Sequence, residues 1–239
     1  MSMPDKPSPP PKPVTELWKP ELVRLPKLTP ARLAFRKFAH GLVKLVSWVC
    51  LRVTTEGMEK VPLKGPLLIA INHLGHADAP ALVTSLPYTP DALGEIELYD
   101  VPILGRMMDW YGIIWLHRGL PDRRALRAAL DGLAEGRIII IAPEGRYSLT
   151  GTLEEGTGGA AFLAYKSGAP ILPIAIAGSD NKSVFGHLKK WRRAPVHIRV
   201  GEIIRLENQA SAKREAMSEG TSQIMAALSA LLPEKYRGG

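Results

Sequence analysis

The chain has 239 residues, 46% of them apolar, a single cysteine (Cys50) and a net charge of +8. That length and apolar content suffice for a substantial core in one large domain, and the lone cysteine excludes an internal disulfide framework and any cysteine-rich zinc site. The charge is uneven: residues 1–53 hold ten Lys/Arg against three Asp/Glu and the rest twenty-one against twenty, so the basic character belongs to an N-terminal arm suited to nucleic acid, an acidic protein or an anionic bilayer.

The first residues, "MSMPDKPSPPPKP", lack a hydrophobic h-region, and no export signal is expected. Residues 1–30 are rich in proline and show no period, which predicts an extended or disordered lead. From Ala31 the pattern changes. Phe35, Phe38, Leu42, Leu45 and Val49 recur at steps of three and four, with Arg36, His40, Lys44 and Ser47 on another face, so residues 31–56 are assigned to an amphipathic helical segment. A bilayer span needs about 20 mostly apolar residues, and the charge-free stretch between Lys44 and Arg52 is too short. A wide apolar face with Trp48, flanked by Lys and Arg, fits a helix lying in the headgroup region; the alternative is a helix packed on the domain's own core.

Beyond Gly57 apolar strands alternate with helical stretches. Strands are predicted at 66–71 (PLLIAI), 112–116 (GIIWL), 137–141 (RIIII), 171–177 (ILPIAIA) and 196–200 (VHIRV), most of them buried runs. Helices are predicted at 81–86, 122–136, 158–168 and 212–232, several closed by glycine. Residues 57–239 therefore read as a single α/β domain with a central mostly parallel or mixed sheet flanked by helices. Ligands of such sheets gather at the carboxyl ends of the strands. The polar clusters fall there: "NHLGHAD" follows the first of these strands, "HRG" the second and "PEGRYS" the third.

His73, His76 and Asp78 could supply three metal ligands from one loop, but the other histidines are scattered and no HxH or HExxH occurs, so no metal is expected. No GxSxG elbow is present, and Cys50 lies in the amphipathic segment rather than after a strand. A histidine general base needs a carboxylate to fix its tautomer. His73 and Asp78 are five apart, so Gly75 would have to let the chain fold back for them to meet. The plainer readings are a helix cap for Asp78, a turn residue for Asn72 and a hydrogen-bonded strand-end group for His73.

The ordered series "NHLGHAD" (72–78), "GIIWLHR" (112–118), "APEGRYS" (142–148) and "ILPIAI" (171–176) resembles the four sequence blocks of the glycerophospholipid acyltransferases, the lysophosphatidic acid acyltransferase family, over about residues 57–205. The resemblance implies a glycerol-3-phosphate acyltransferase-like fold and acyl transfer from acyl-CoA or acyl-carrier protein to the hydroxyl of a lysophospholipid, foremost lysophosphatidic acid, giving phosphatidic acid. It implies His73 as general base and Asp78 as its partner, with no acyl-enzyme and no cofactor beyond the acyl donor. It further implies that Arg118 and the segment Glu144, Gly145, Arg146 to Ser148 bind the acceptor's phosphate, and that Pro173 contributes a wall of the acceptor pocket. The third block departs from the family's FPEGTRS: Ala142 replaces Phe, Arg146 stands where Thr is usual and Tyr147 where Arg is usual. The acceptor headgroup therefore remains open to other lysolipids, including an acylated amino-acid lipid. Proline inside an apolar strand also predicts that the 171–177 strand lies at an edge or carries a bulge.

A second basic cluster, "HLKKWRRAP" (187–195), is expected as an exposed loop touching lipid headgroups, coenzyme A phosphates or an acidic carrier. With the helix it would give two anchors for a peripheral, monotopic enzyme on a cytoplasmic membrane face. The alternative from another class is a non-catalytic membrane- or nucleic-acid-binding protein. Nucleic acid is not expected as a partner, because the domain after residue 53 is almost neutral and carries no recognised reader motif.

Overall fold

The computed structural model describes residues 14–16, 18–119, 122–206 and 214–238. A seven-stranded sheet runs in the order β1-β7-β6-β2-β5-β3-β4, with β1 Leu51–Glu56, β2 Leu67–Ile71, β3 Asp91–Glu95, β4 Ile114–Leu116, β5 Ile138–Ile141, β6 Ile171–Ala177 and β7 Ala194–Val200. All pairings are parallel except β6 with β7. Five strands thus share one direction, while β7 and β1 run against them.

The helices are α1 Pro30–Cys50, α2 Asp78–Ser85, α3 Leu104–Tyr111, α4 Arg123–Ala134, α5 Gly159–Ser167, α6 Asn181–Leu188 and α7 Arg214–Leu231. Alternation along β2 shows how the sheet is covered. Leu68 and Ala70 pack with residues of α4, α5 and α7, while Leu67, Ile69 and Ile71 pack with Ala81 and Leu82 of α2 and Val184 of α6. Every residue of β2 is buried, as the continuous apolar run requires of a strand covered on both faces. Each such Leu or Ile contributes about 1.5–3 kcal/mol by leaving water.

Two sequence expectations need correction, and a third is met by one of its two alternatives. Residues 1–13 and 17 lie outside the described residues, but other parts of the expected extended or disordered lead contact the domain: Val23 is buried, the N–H of Thr15 donates to the carbonyl of Arg118 (3.0 Å) and Trp18 stacks on His117. The 31–56 segment is a helix only to Cys50; residues 51–56 are β1, which pairs with β7 through Leu51↔Ala194 to Glu56↔Arg199. Their alternation was too short to stand out beside the long helical period. Of the edge position and the bulge expected at Pro173, the bulge is found: β6 is an interior strand, between β7 and β2. There Ile174 pairs with Val200 while Ile171 pairs with Ile204, one residue out of step, so the segment after β7 holds an extra residue opposite the proline, which has no N–H to donate.

Helix α1 lies with its polar side inward. Arg36, Ala39 and Ser47 are buried, whereas Phe38, Leu45, Val46, Trp48 and Val49 are each more than half exposed. The Arg36 guanidinium is ion-paired with Asp91 and donates to the carbonyl of Pro90 (2.9 Å), which accounts for a charged residue on the packed face.

Candidate active site

The carboxyl ends of the parallel strands converge on the loop between β2 and α2. Asn72 fixes its start: the buried side-chain amide donates to the carbonyl of Ile176 (2.8 Å) and accepts from its N–H (2.7 Å), extending the β2–β6 ladder by one side chain. The chain then turns so that Asp78 Oδ2 accepts three hydrogen bonds, from His73 Nδ1 (2.7 Å) and from the N–H groups of Leu74 (2.7 Å) and Gly75 (2.9 Å). Asp78 therefore folds the loop rather than capping α2. Gly75 is required by space: a Cβ there would stand 2.7 Å from the carbonyl oxygen of Ser179 and 2.8 Å from Asn181 Oδ1. With Nδ1 engaged, the imidazole presents Nε2 as acceptor, and the side chain is 23% exposed beside an Asp78 that is fully buried.

The loop after β5 supports this pair from below. Glu144 is fully buried; Oε1 accepts from the N–H of His73 (2.8 Å) and Oε2 from the N–H of Glu154 (2.8 Å). Burial pushes its carboxyl up to about 7, against these two hydrogen bonds, which act the other way. Gly145 turns the chain at φ 70°, a left-handed conformation suited to glycine. The N–H of Ser148 donates to the carbonyl of His73 (2.7 Å). Tyr147 then lies over the His73 ring, with centroids 4.0 Å apart, and its hydroxyl stands 3.1 Å from His76 Nδ1. Burial first, then Glu95 and Asp78, pushes the phenol up to about 12, so it stays protonated. Glu154 lies outside every sequence motif, and Tyr147, inside the third block, is marked in the sequence only as the aromatic standing where the family's arginine is usual.

The residues expected to hold phosphate are occupied differently. Arg146 turns into its own loop, with Nε 2.7 Å from Glu154 Oε2 and both side chains almost fully buried. Ser148 donates its hydroxyl to the carbonyl of Thr152. Arg118, two residues past β4, reaches the site but is held by Glu95 (2.6 Å) and Glu97 (3.1 Å). Pro173 sits well back in β6, on the face it shares with Ile171 and Ala175, and so belongs to the core rather than to a pocket wall. Among the described residues no group of three His, Cys, Asp or Glu side chains is placed to hold a metal ion.

A second histidine repeats the spacing. His117 Nδ1 is 2.8 Å from Asp122 Oδ2, five residues on, as in the first pair. Here Nε2 accepts the N–H of Lys19 (3.2 Å), Trp18 covers the ring, and Asp122 caps α4 through the N–H groups of Arg124 and Ala125. That pair is structural. The contrast shows that the distinguishing feature of His73 is an imidazole nitrogen left available, not the spacing itself.

A buried Asp78 beside a partly exposed His73, at the carboxyl end of a mostly parallel sheet, is an arrangement that can take up and return a proton at Nε2. The acyltransferase family model matches residues 52–177, and the chain belongs to that family. It is 28% identical to a chloroplastic 1-acyl-sn-glycerol-3-phosphate acyltransferase of Arabidopsis thaliana, over 60% of this chain and 42% of the relative. It is 27% identical to the lyso-ornithine lipid O-acyltransferase of Pseudomonas aeruginosa, over 67% of this chain and 78% of the relative. The chain spans about two fifths to three fifths of the length of the chloroplastic and Borreliella burgdorferi relatives it matches. The fold is similar to the crystal structure of the 1-acyl-sn-glycerophosphate acyltransferase PlsC from Thermotoga maritima, with a TM-score of 0.60 and 22% identity over 85% of this chain and 84% of that one.

Proposed function

We propose that the protein transfers a fatty acyl group from an acyl thioester, carried by coenzyme A or an acyl-carrier protein, to the free hydroxyl of a lysophospholipid. His73 Nε2 takes the hydroxyl proton as the oxygen attacks the thioester carbonyl. The C–S bond breaks, and the leaving thiolate recovers that proton from the imidazolium. Asp78 holds the ring in the tautomer this needs and offsets the positive charge it acquires. The observation that carries the reading is the 2.7 Å His73–Asp78 contact with Nε2 unengaged among the described residues. No separate cofactor is needed.

Lysophosphatidic acid is the acceptor that most of the relatives' names suggest. A second reading, another lysolipid, is favoured by the charges around His73: Arg118 is held by two carboxylates and Arg146 by a third, so a phosphate would have to compete for both guanidinium groups. We place the enzyme peripherally on the cytoplasmic face of a membrane. No helix of the described residues is long and apolar enough to cross one, and α1 offers an apolar face to lie on it.

Mass spectrometry of products from a lysolipid panel, offered with both donor types, tests the reaction and ranks the acceptors. His73→Ala and Asp78→Asn are each expected to lower the rate roughly a hundredfold or more. Full activity in both variants would remove the base-and-partner assignment.

A further inference from the structure

Strand β7 begins level with the end of β6: Ala177 pairs with His197, the fourth residue of β7. The helix and turn that join them, α6 and residues 189–193, therefore stand at the same end of the sheet as His73. They also touch the catalytic loop, since the N–H of His76 donates to Asn181 Oδ1 (3.0 Å) and Gly75 packs on Ser179. Between α6 and the turn lies a cleft of about 440 Å³ lined by Asp180, Lys182, Ser183, His187, Lys190 and Arg192. Lys182, Lys190 and Arg192 are exposed and make no ion pair among the described residues. The one acid, Asp180, caps α6 by accepting from the N–H of Ser183 (2.8 Å). At the rim Trp191 is 98% exposed and held at φ 54°, an uncommon conformation for a bulky residue.

We propose that this cleft binds the nucleotide end of the acyl donor, the 3′-phosphorylated adenosine diphosphate of coenzyme A; the inference rests on the acyl-transfer reading above. Three exposed cations line this open cleft, whose volume is that of a small ligand, and phosphates are the anions that such a set satisfies. A concave, nucleotide-sized site suits a small polyanion better than a bilayer or a folded acidic carrier, which engage wider surfaces. Trp191 offers a face on which adenine can stack. The cleft runs along α6 from Asp180 to Lys190, and the start of that helix is the part bonded to the loop of His73 and Asp78 through Asn181, so the linear pantetheine arm can lead from the cleft along the helix N-terminus to bring the thioester to His73.

The test is titration calorimetry of the full chain with adenosine 3′,5′-bisphosphate, beside the double variant Lys190→Glu/Arg192→Glu and the single variant Trp191→Ala. Binding should weaken at least tenfold in the first and severalfold in the second. The double variant should raise the KM for acyl-CoA roughly tenfold and leave the KM for the lysolipid unmoved. Absence of nucleotide binding, or equal affinity in the double variant, would overturn the proposal. So would a KM effect confined to acyl-carrier protein, or a defect confined to anionic vesicles. Should no donor support transfer at all, the acyl-transfer reading fails, and calorimetry still decides the cleft.

Discussion

Glu144 joins the two loops of the site: one oxygen holds the N–H of His73, the other the N–H of Glu154. Its carboxyl is pushed from the ordinary 4.5 up to about 7 by burial. Between those values the folded chain holds a proton that the unfolded chain has released, so this residue contributes stability that is present below about pH 4.5 and is lost as pH rises through 7. The loss amounts to about 3 kcal/mol. Denaturant unfolding from pH 5 to 8 should therefore show a falling midpoint for the wild type, and a flatter profile for Glu144→Gln, which cannot titrate. Parallel slopes would remove Glu144 as the cause. At this scale the sequence was readable for the meeting of His73 with Asp78, 2.7 Å apart across the turn at Gly75. It misled where a cation could turn either way: nothing in "PEGRYS" told that Arg146 would be buried on Glu154, eight residues on, because that pairing depends on the path of the 145–154 loop.

Helix α1 shows the same difficulty one level up. Its period was plain, yet the period does not say which face is packed, and the packed face is the one with Arg36 and Ser47. The deciding partner, Asp91, lies on β3, a short strand that lacks an apolar run and was not anticipated. Asp91 is buried between Arg36 and Arg137, with the latter 3.2 Å away. Replacing it by alanine would leave both guanidinium groups without this carboxylate in a largely dry site, at an expected cost of about 3–5 kcal/mol. Denaturant unfolding measures that loss, and limited proteolysis should show earlier cleavage at the α1 boundaries. An unchanged midpoint would mean that α1 is held by its remaining contacts alone. The five predicted strands, by contrast, were legible because each is a buried apolar run bounded by turn residues, the pattern that a covered parallel sheet imposes.

Across the molecule, several features meet at one end of the sheet. Strand β1 starts where β7 starts, with Leu51 paired to Ala194, so the C-terminal end of α1 stands beside the basic turn; Arg193 donates to the carbonyl of Leu51 (2.8 Å) and lies over the Trp48 ring. The exposed apolar face of α1 thus ends at the end of the sheet that carries His73. A soluble monomer rarely leaves so continuous an apolar face in water, and each large side chain moved into lipid would contribute about 1.5–3 kcal/mol. If this face is what holds the enzyme to its lipid substrate, Leu45→Glu/Val49→Glu should lower co-sedimentation with neutral vesicles at least tenfold. The far-ultraviolet circular dichroism and unfolding midpoint should stay unchanged, since both residues are more than half exposed. Neutral vesicles separate this contact from attraction of the basic turn to anionic lipid, which added salt would screen. Transfer to a detergent-dispersed lysolipid should survive the same substitutions while transfer to a vesicle-borne one falls, because the variant alters access to the substrate and leaves the His73–Asp78 pair intact. Equal binding of variant and wild type to neutral vesicles would assign the apolar face to another partner.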